Sequence, residues 1–98
     1  MSYYFMASIR ITDPQEYQKY LERAGEIFAR YRGEYLAVDN HPEVLEGSWD
    51  YGRAVLIRFP SKEDFEAWYR SEDYQRILRH RIQAAQCDSI LIRGEERD

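Results

Sequence analysis

Residues 3–11 are mostly aromatic, β-branched or otherwise apolar, and the run stops at the turn-forming sequence Thr12-Asp13-Pro14. This pattern predicts a first β-strand. Three further runs of the same kind predict strands within residues 33–38, 53–59 and 89–93. The run at 53–59 is the clearest interior strand, and Pro60 ends it because proline has no amide hydrogen to donate.

Between the second and third of these strands, turn residues at 39–42 precede an extended pattern at 43–47, and a second loop follows at 48–52. This arrangement predicts a hairpin with short or irregular strands.

Between the first and second predicted strands, apolar residues recur at helical spacing after Asp13. Asp13 is placed to cap this helix, with Pro14 at its first position. The predicted buried face consists of Tyr17, Tyr20, Leu21, Ala24, Ile27, Phe28 and Tyr31. We expect this helix to end at Tyr31 or Arg32, with Gly33 as the left-handed residue that terminates it.

A second helical stretch follows Ser61, whose spacing to Asp64 is that of a capping sequence. Phe65, Trp68 and Tyr69 continue its apolar face. Ser71 can cap a fresh turn, so we expect a helix broken near Arg70-Ser71. The second half carries Tyr74, Ile77, Leu78, Arg81, Ile82 and Ala85 at helical spacing.

The resulting order, βαββαβ, predicts an α+β ferredoxin-like domain over residues 1–98, with an antiparallel sheet covered by helices on one face. The other face of the predicted strands is also partly apolar, so we expect a homodimer with the two sheets face to face. The residues predicted to lie in this dimer interface are Tyr4, Met6, Arg10, Glu46, Leu56 and Arg58. The charged members form either an ion-pair network that fixes the register of the dimer or an anion site.

Composition narrows the function classes. The 98 residues carry 14 Lys and Arg against 18 Asp and Glu, a net charge of −4, which argues against a nucleic-acid partner. No apolar run is long enough to span a membrane, and the amino-terminal residues do not resemble a signal peptide, so a soluble cytoplasmic protein is expected. The single cysteine, Cys87, cannot form an internal disulfide. No metal-site spacing or cofactor motif is present, so no metal or cofactor is expected.

Arg81 is the most informative candidate, because its helical position falls within the apolar arc and a buried charge needs a partner. It is either a clamp for a ligand carboxylate or enolate, or a structural residue that pairs within the chain or extends past the core edge. Trp49, Trp68, Tyr17 and Tyr74 either line a ligand cleft or belong to the core. His41, in a turn, is a weak candidate for a general base together with Tyr17 and Tyr74.

Three segments of the sequence are specific enough to compare with known families: D-P-x-x-Y at Asp13 to Tyr17, E-V-L-E-G at Glu43 to Gly47, and the F-P-S…A-W-Y-x-S-x-x-Y-Q run from Phe59 to Gln75. In these segments the chain resembles a bacterial family of short proteins of unknown function in the dimeric α/β-barrel, ferredoxin-like superfamily. The resemblance extends from about Tyr3 to Gly94 and implies the same dimeric fold. Related families include cofactor-free monooxygenases, haem-degrading monooxygenases and muconolactone isomerases, so the fold does not select a function.

Three functions therefore remain open. The first is a homodimer that binds a small molecule in a cleft between sheet and helices, with its reaction unknown. The second is a cofactor-independent monooxygenase or isomerase that acts on a small aromatic or carboxylated substrate. The third is a structural or regulatory dimer without a ligand. They differ in whether Arg81, Trp49 and Tyr74 converge on an open cavity.

Overall fold

The computed structural model describes residues 1–95. Its elements, in chain order, are β1 (Tyr3–Ile11), α1 (Pro14–Arg30), β2 (Glu34–Asp39), β3 (Arg53–Phe59), α2 (Lys62–Tyr69), α3 (Glu72–Ala84) and β4 (Ala85–Arg93). The predicted ferredoxin-like βαββαβ fold is confirmed, and the second helical stretch is divided into α2 and α3 as expected. None of these helices is long and apolar enough to cross a membrane.

The four strands form one antiparallel sheet in the order β2-β3-β1-β4. In β1 and β3 the odd-numbered positions face the helices, and the buried ones include Phe5, Ile9, Val55 and Ile57. The core fills the space between this face and the three helices. The pairing of Met6 with Leu56 and Ile90 places the even-numbered positions on the opposite face, which no helix covers.

Serine and aspartate caps place the helices where the sequence predicts them. The Asp13 carboxylate accepts from the Glu16 amide, the Ser61 hydroxyl from the Asp64 amide, and the Ser71 hydroxyl from the Tyr74 amide. The Ser71 hydroxyl also donates to the carbonyl of Trp68, so it joins the end of α2 to the start of α3.

The prediction that Gly33 is the left-handed residue after α1 is wrong. Arg32 takes that conformation, with φ of 68°, and the amides of Arg32 and Gly33 bond back to the carbonyls of Ala29 and Phe28. Gly33 is needed for another reason: a Cβ there would lie 2.9 Å from the Phe59 ring.

Two predicted strand boundaries also need correction. Residues 43–47 form no strand, and the hairpin instead joins β2 to β3 through the long loop 40–52. Strand β4 begins at Ala85 rather than at residue 89, directly after α3. Strand β4 pairs with β1 from Ala85 to Arg93, and residues 43–47 pair with no strand; a local pattern of residues does not encode such pairing.

Candidate functional site

The side chain of Arg81 is buried in the last turn of α3, where the residue is only 6% exposed. Its guanidinium carbon lies 5.7 Å from the centroid of the Tyr20 ring on α1, within the range of a cation–π contact. Within residues 1–95, no carboxylate lies at ion-pair distance from this side chain, and its Nε is buried without a hydrogen-bond partner. Arg81 is therefore a buried cation whose neighbours are tyrosines rather than acids.

A second arginine approaches the same region from the sheet. Arg53, the first residue of β3, has its guanidinium carbon 5.8 Å from the centroid of the Tyr17 ring. One terminal nitrogen, Nη1, donates to Oδ1 of Asn40 at 3.0 Å, while its Nε, like that of Arg81, is buried and unpaired. The side chain of Arg53 thus extends from the protein surface towards the core.

Three tyrosines connect the two arginines. The rings of Tyr17 and Tyr20 are 5.6 Å apart, and the hydroxyls of Tyr20 and Tyr74 share a buried hydrogen bond of 2.9 Å. Burial raises the pKa of Tyr74 to about 12 and raises the pKa of Tyr17 and Tyr20, although the positive charge of Arg81 opposes the change at all three. These phenols stay protonated at neutral pH, so each can donate as well as accept a hydrogen bond.

We call these five residues, Arg53, Arg81, Tyr17, Tyr20 and Tyr74, the arginine–tyrosine site. Among them, Arg53, Arg81, Tyr17 and Tyr20 line a narrow void of about 10 Å³ between α1 and the sheet, with room for about one water molecule. The cleft in which the sequence predicts a ligand is therefore almost closed. This volume by itself agrees with a structural or regulatory dimer, and ligand binding requires the site to open.

An open groove of about 330 Å³ lies at the carboxyl end of β1. Its lining consists of Ile9, Arg10, Ile11, Asn40, His41, Gly52 and Arg53. Ile9 and Arg53 belong to both the groove and the void, so the two spaces adjoin at these residues.

The structure brings some predicted site residues together and separates others. Tyr17 and Tyr74 lie in the arginine–tyrosine site, and Trp68 is fully buried beside Tyr74, with 4.1 Å between ring centroids. Trp49 is in a different place, in an apolar concavity of about 340 Å³ with Met6 and Leu45 on the uncovered side of the sheet. Arg81 and Tyr74 are thus close to each other, and Trp49 does not join them.

The two histidines occupy different positions relative to the site. His41 is exposed in the turn after β2, where its amide donates to the Asp39 carboxylate, and its side chain lines the surface groove beside Arg53. His80 points away from Arg81 and bonds through Nδ1 to the Glu16 carboxylate of α1.

The two arginines predicted for the dimer interface have partners within the chain. Arg10 pairs with Asp50, and Arg58 pairs with Glu34 at 3.1 Å and donates to the Ser2 hydroxyl. Glu46 is not paired with either arginine; it lines the same concavity as Trp49. The three residues therefore form no common network within one chain.

Cys87 lines an open concavity of about 460 Å³ together with Arg10, Asp50, Tyr51, Gln86 and Asp88. Cys87 is half-buried, and burial raises the pKa of its thiol. In the part of the chain that the structure describes, no three His, Cys, Asp or Glu side chains are grouped as metal ligands would be.

Two residues of the site, Arg53 and Tyr20, were not singled out from the sequence. Tyr20 matches the helical spacing of a core residue, so nothing in the pattern distinguishes it. Arg53 could have been found from the sequence. Side chains alternate between the two faces of a strand, so Arg53 lies on the same face of β3 as Val55 and Ile57, which is the core side.

Sequence and structure comparisons agree on the fold. A family model described as a domain of unknown function, DUF1330, matches residues 2–95. A search of curated proteins finds no significant match. A protein of unknown function from Rhodopseudomonas palustris is similar in structure, with a TM-score of 0.81, 19% identity and coverage of 98% of this chain and 84% of that one.

Two further solved structures resemble the chain at lower identity. A dimeric ferredoxin-like protein of unknown function from Jannaschia has a TM-score of 0.71 and 11% identity, over 96% of this chain and all of that one. SnoaB, a cofactor-independent oxygenase from Streptomyces nogalater, has a TM-score of 0.69 and 12% identity, over 98% of this chain and 95% of that one. At these identities the likeness shows the fold alone.

Proposed function

The chain belongs to the DUF1330 family of domains of unknown function, and we propose that it is a homodimer whose subunits each bind a small molecule at the arginine–tyrosine site. The ligand enters from the surface groove at the carboxyl end of β1. The site must open to admit the ligand, because the void has room for about one water molecule.

The observation that carries this proposal is the Nε of Arg81, which is buried without a hydrogen-bond partner. Removing a guanidinium from water is costly unless an anion or several acceptors replace the water. The cation–π contact with Tyr20 offsets part of the free energy lost on burial. However, the Nε of Arg81 has no acceptor, and no acidic side chain of residues 1–95 pairs with Arg81. An external acceptor, supplied by a ligand, would satisfy this group.

The site favours binding over proton transfer. A general base must be deprotonated near the working pH, whereas burial raises the pKa of Tyr17 and brings that of Tyr74 to about 12. His41 lies at the outer groove rather than beside Arg81. Among residues 1–95, the site therefore offers no evident base for an oxygenase reaction like that of SnoaB.

The dimer is proposed from the uncovered face of the sheet. Met6, Leu56 and Ile90 are adjacent there across three paired strands, and Ile90 is 58% exposed. A second copy would bury these side chains by two-fold packing. Solved structures with this fold are described as dimeric, which agrees with the proposal.

Native mass spectrometry of freshly purified protein tests the ligand. We expect a dimer with a discrete small-molecule adduct, and we expect the Arg81→Ala variant to lose the adduct while it keeps its circular dichroism spectrum. Arg79→Ala is the matched control, because Arg79 is two residues away on the same helix and exposed. It should retain the adduct.

An adduct that persists in Arg81→Ala would place the ligand elsewhere. A clean dimer, combined with no chemical-shift change at Tyr17, Tyr20 or Arg81 when a fragment library is added, would contradict ligand binding. The structural or regulatory dimer would then be the better account.

A further inference from the structure

Arg53 and Arg81 share an unusual set of properties. Each has a buried, unpaired Nε, each lies against a tyrosine ring, and both line the same water-sized void. The positive charges of both also act on the Tyr17 hydroxyl. The two side chains therefore border one narrow space.

Within residues 1–95, no carboxylate pairs with either of these arginines. The polar groups at the site are the tyrosine hydroxyls, and Asn40 holds the outer end of Arg53 through a neutral amide oxygen. Two cations close together repel each other in a region of low dielectric, so the site is most stable with an anion between them.

We propose that the ligand of this site is a small carboxylate, whose oxygens are held by Arg53 and Arg81 together, and that Arg53 releases Asn40 to admit it. This inference rests on the proposed small-molecule binding and adds the class of ligand and the role of Arg53. The rest of the ligand lies in the surface groove against Ile9 and Ile11.

The shape and donors of the site favour a carboxylate. A planar guanidinium donates two parallel hydrogen bonds to a planar carboxylate, and two guanidinium groups can serve its two oxygens. The groove, at about 330 Å³, has the volume expected of a site for a small organic molecule.

Arg53 is the residue placed to control access, because it is half-exposed and belongs to both the void and the groove. Its bond to Asn40 is one hydrogen bond to a neutral amide, and exchange for a carboxylate gives a stronger, charge-assisted bond. We expect Asn40→Ala to raise the rate of carboxylate binding, because it frees Arg53 from this partner while the rest of the site remains intact.

The Nε–Hε resonances of Arg53 and Arg81 report directly on the proposed contact. The full-length protein is titrated at constant ionic strength with sodium benzoate, with benzamide as the neutral analogue, and with inorganic phosphate. Arg53→Lys and Arg81→Lys assign the two resonances. Arg58→Lys is the control, since Arg58 is paired with Glu34 on the uncovered side of the sheet.

We expect benzoate to shift both resonances in a saturable manner and benzamide to leave them unchanged. Each of Arg53→Lys and Arg81→Lys should weaken benzoate binding by about tenfold or more, because a bidentate charged contact is lost. Arg58→Lys should bind as the wild type does.

Equal shifts with benzamide would overturn the carboxylate assignment and leave the proposed small-molecule site standing. Tighter binding of phosphate than of benzoate would replace the ligand class by a tetrahedral anion. If none of the three compounds shifts either resonance, the void holds water only and the proposal is wrong. Loss of benzoate binding in Arg81→Lys but not in Arg53→Lys would show that Arg53 does not hold the carboxylate, and this part of the proposal would be wrong.

Discussion

Tyr20 and Tyr74 show how a polar group is accommodated inside this small core. Both side chains are almost wholly inaccessible, and their hydroxyls satisfy each other through one hydrogen bond that joins α1 to α3. A buried hydroxyl without a partner lowers the free energy of unfolding by about 1–3 kcal/mol. Each hydroxyl therefore stabilises the fold only when the other is present. The same bond keeps Tyr20 beneath Arg81.

This dependence can be measured. We expect Tyr20→Phe and Tyr74→Phe each to lower the free energy of unfolding by about 1–2 kcal/mol, because each leaves the other hydroxyl unpaired. The double variant should lose clearly less than the two single losses combined, with a coupling energy of about 0.5–3 kcal/mol. Urea unfolding of the four proteins checks this, with Tyr31→Phe as a control outside the pair. Additive losses would show that the bond contributes little in solution.

At the scale of the element, helix α1 depends on how its end meets the sheet. Its left-handed terminal residue is Arg32, and the next residue, Gly33, passes directly over the Phe59 ring at the end of β3. Gly25, in the middle of the helix, has no neighbour within 4 Å of the position a Cβ would take. One glycine is therefore required by packing and the other is not.

Alanine at the two glycines should have opposite effects. Gly25→Ala should raise the free energy of unfolding by about 0.5–1 kcal/mol, since alanine is the better helix former and meets no obstacle. Gly33→Ala should lower it by about 1–3 kcal/mol, because its Cβ would overlap the Phe59 ring and the Phe28 carbonyl. Thermal and urea unfolding measure both. A stable Gly33→Ala would mean that the end of α1 shifts readily.

At the scale of the whole molecule, the protein is a thin slab. Its Cα atoms extend over 42 × 37 × 15 Å, because one layer of helices covers one face of a four-stranded sheet. The other face, together with Leu45 and Trp49 of the long loop, presents apolar side chains to the outside; Leu45 is 85% exposed. A surface of this kind marks an interface, and a second copy of the chain is the partner proposed for it.

A charge on this face should break the proposed dimer. Ile90→Glu introduces a carboxylate where the partner's sheet would lie. Because Ile90 is exposed within a single chain, the fold of the subunit should survive the substitution. Ile82→Glu is the matched control, on the outer side of α3 and 67% exposed. We expect sedimentation to give twice 11.8 kDa for the wild type and the control, and a smaller mass for Ile90→Glu. A monomeric wild type, or an unchanged Ile90→Glu dimer, would contradict this interface.

Features governed by neighbours along the chain were predictable from sequence. The caps at Asp13, Ser61 and Ser71 and the break between α2 and α3 depend on contacts three or four residues away, so the local pattern contains them. The alternation of side chains along β1 and β3 also predicts which residues face the core. The end of α1 near Tyr31 was also predicted, but the left-handed residue after it and the start of β4 were not. The start of β4 depends on pairing with the distant strand β1.

For the candidate site, the sequence by itself determined that Arg81 lies on the apolar face of its helix, since helical periodicity alone places it there. Only the tertiary structure decided what surrounds it: Tyr20 from α1 and Arg53 from β3, with no acidic partner among residues 1–95 and with Trp49 on the opposite side of the sheet. The physical reason is range. Periodicity and capping act over a few residues, whereas the meeting of α1, α3 and β3 depends on burying side chains far apart in sequence in one core.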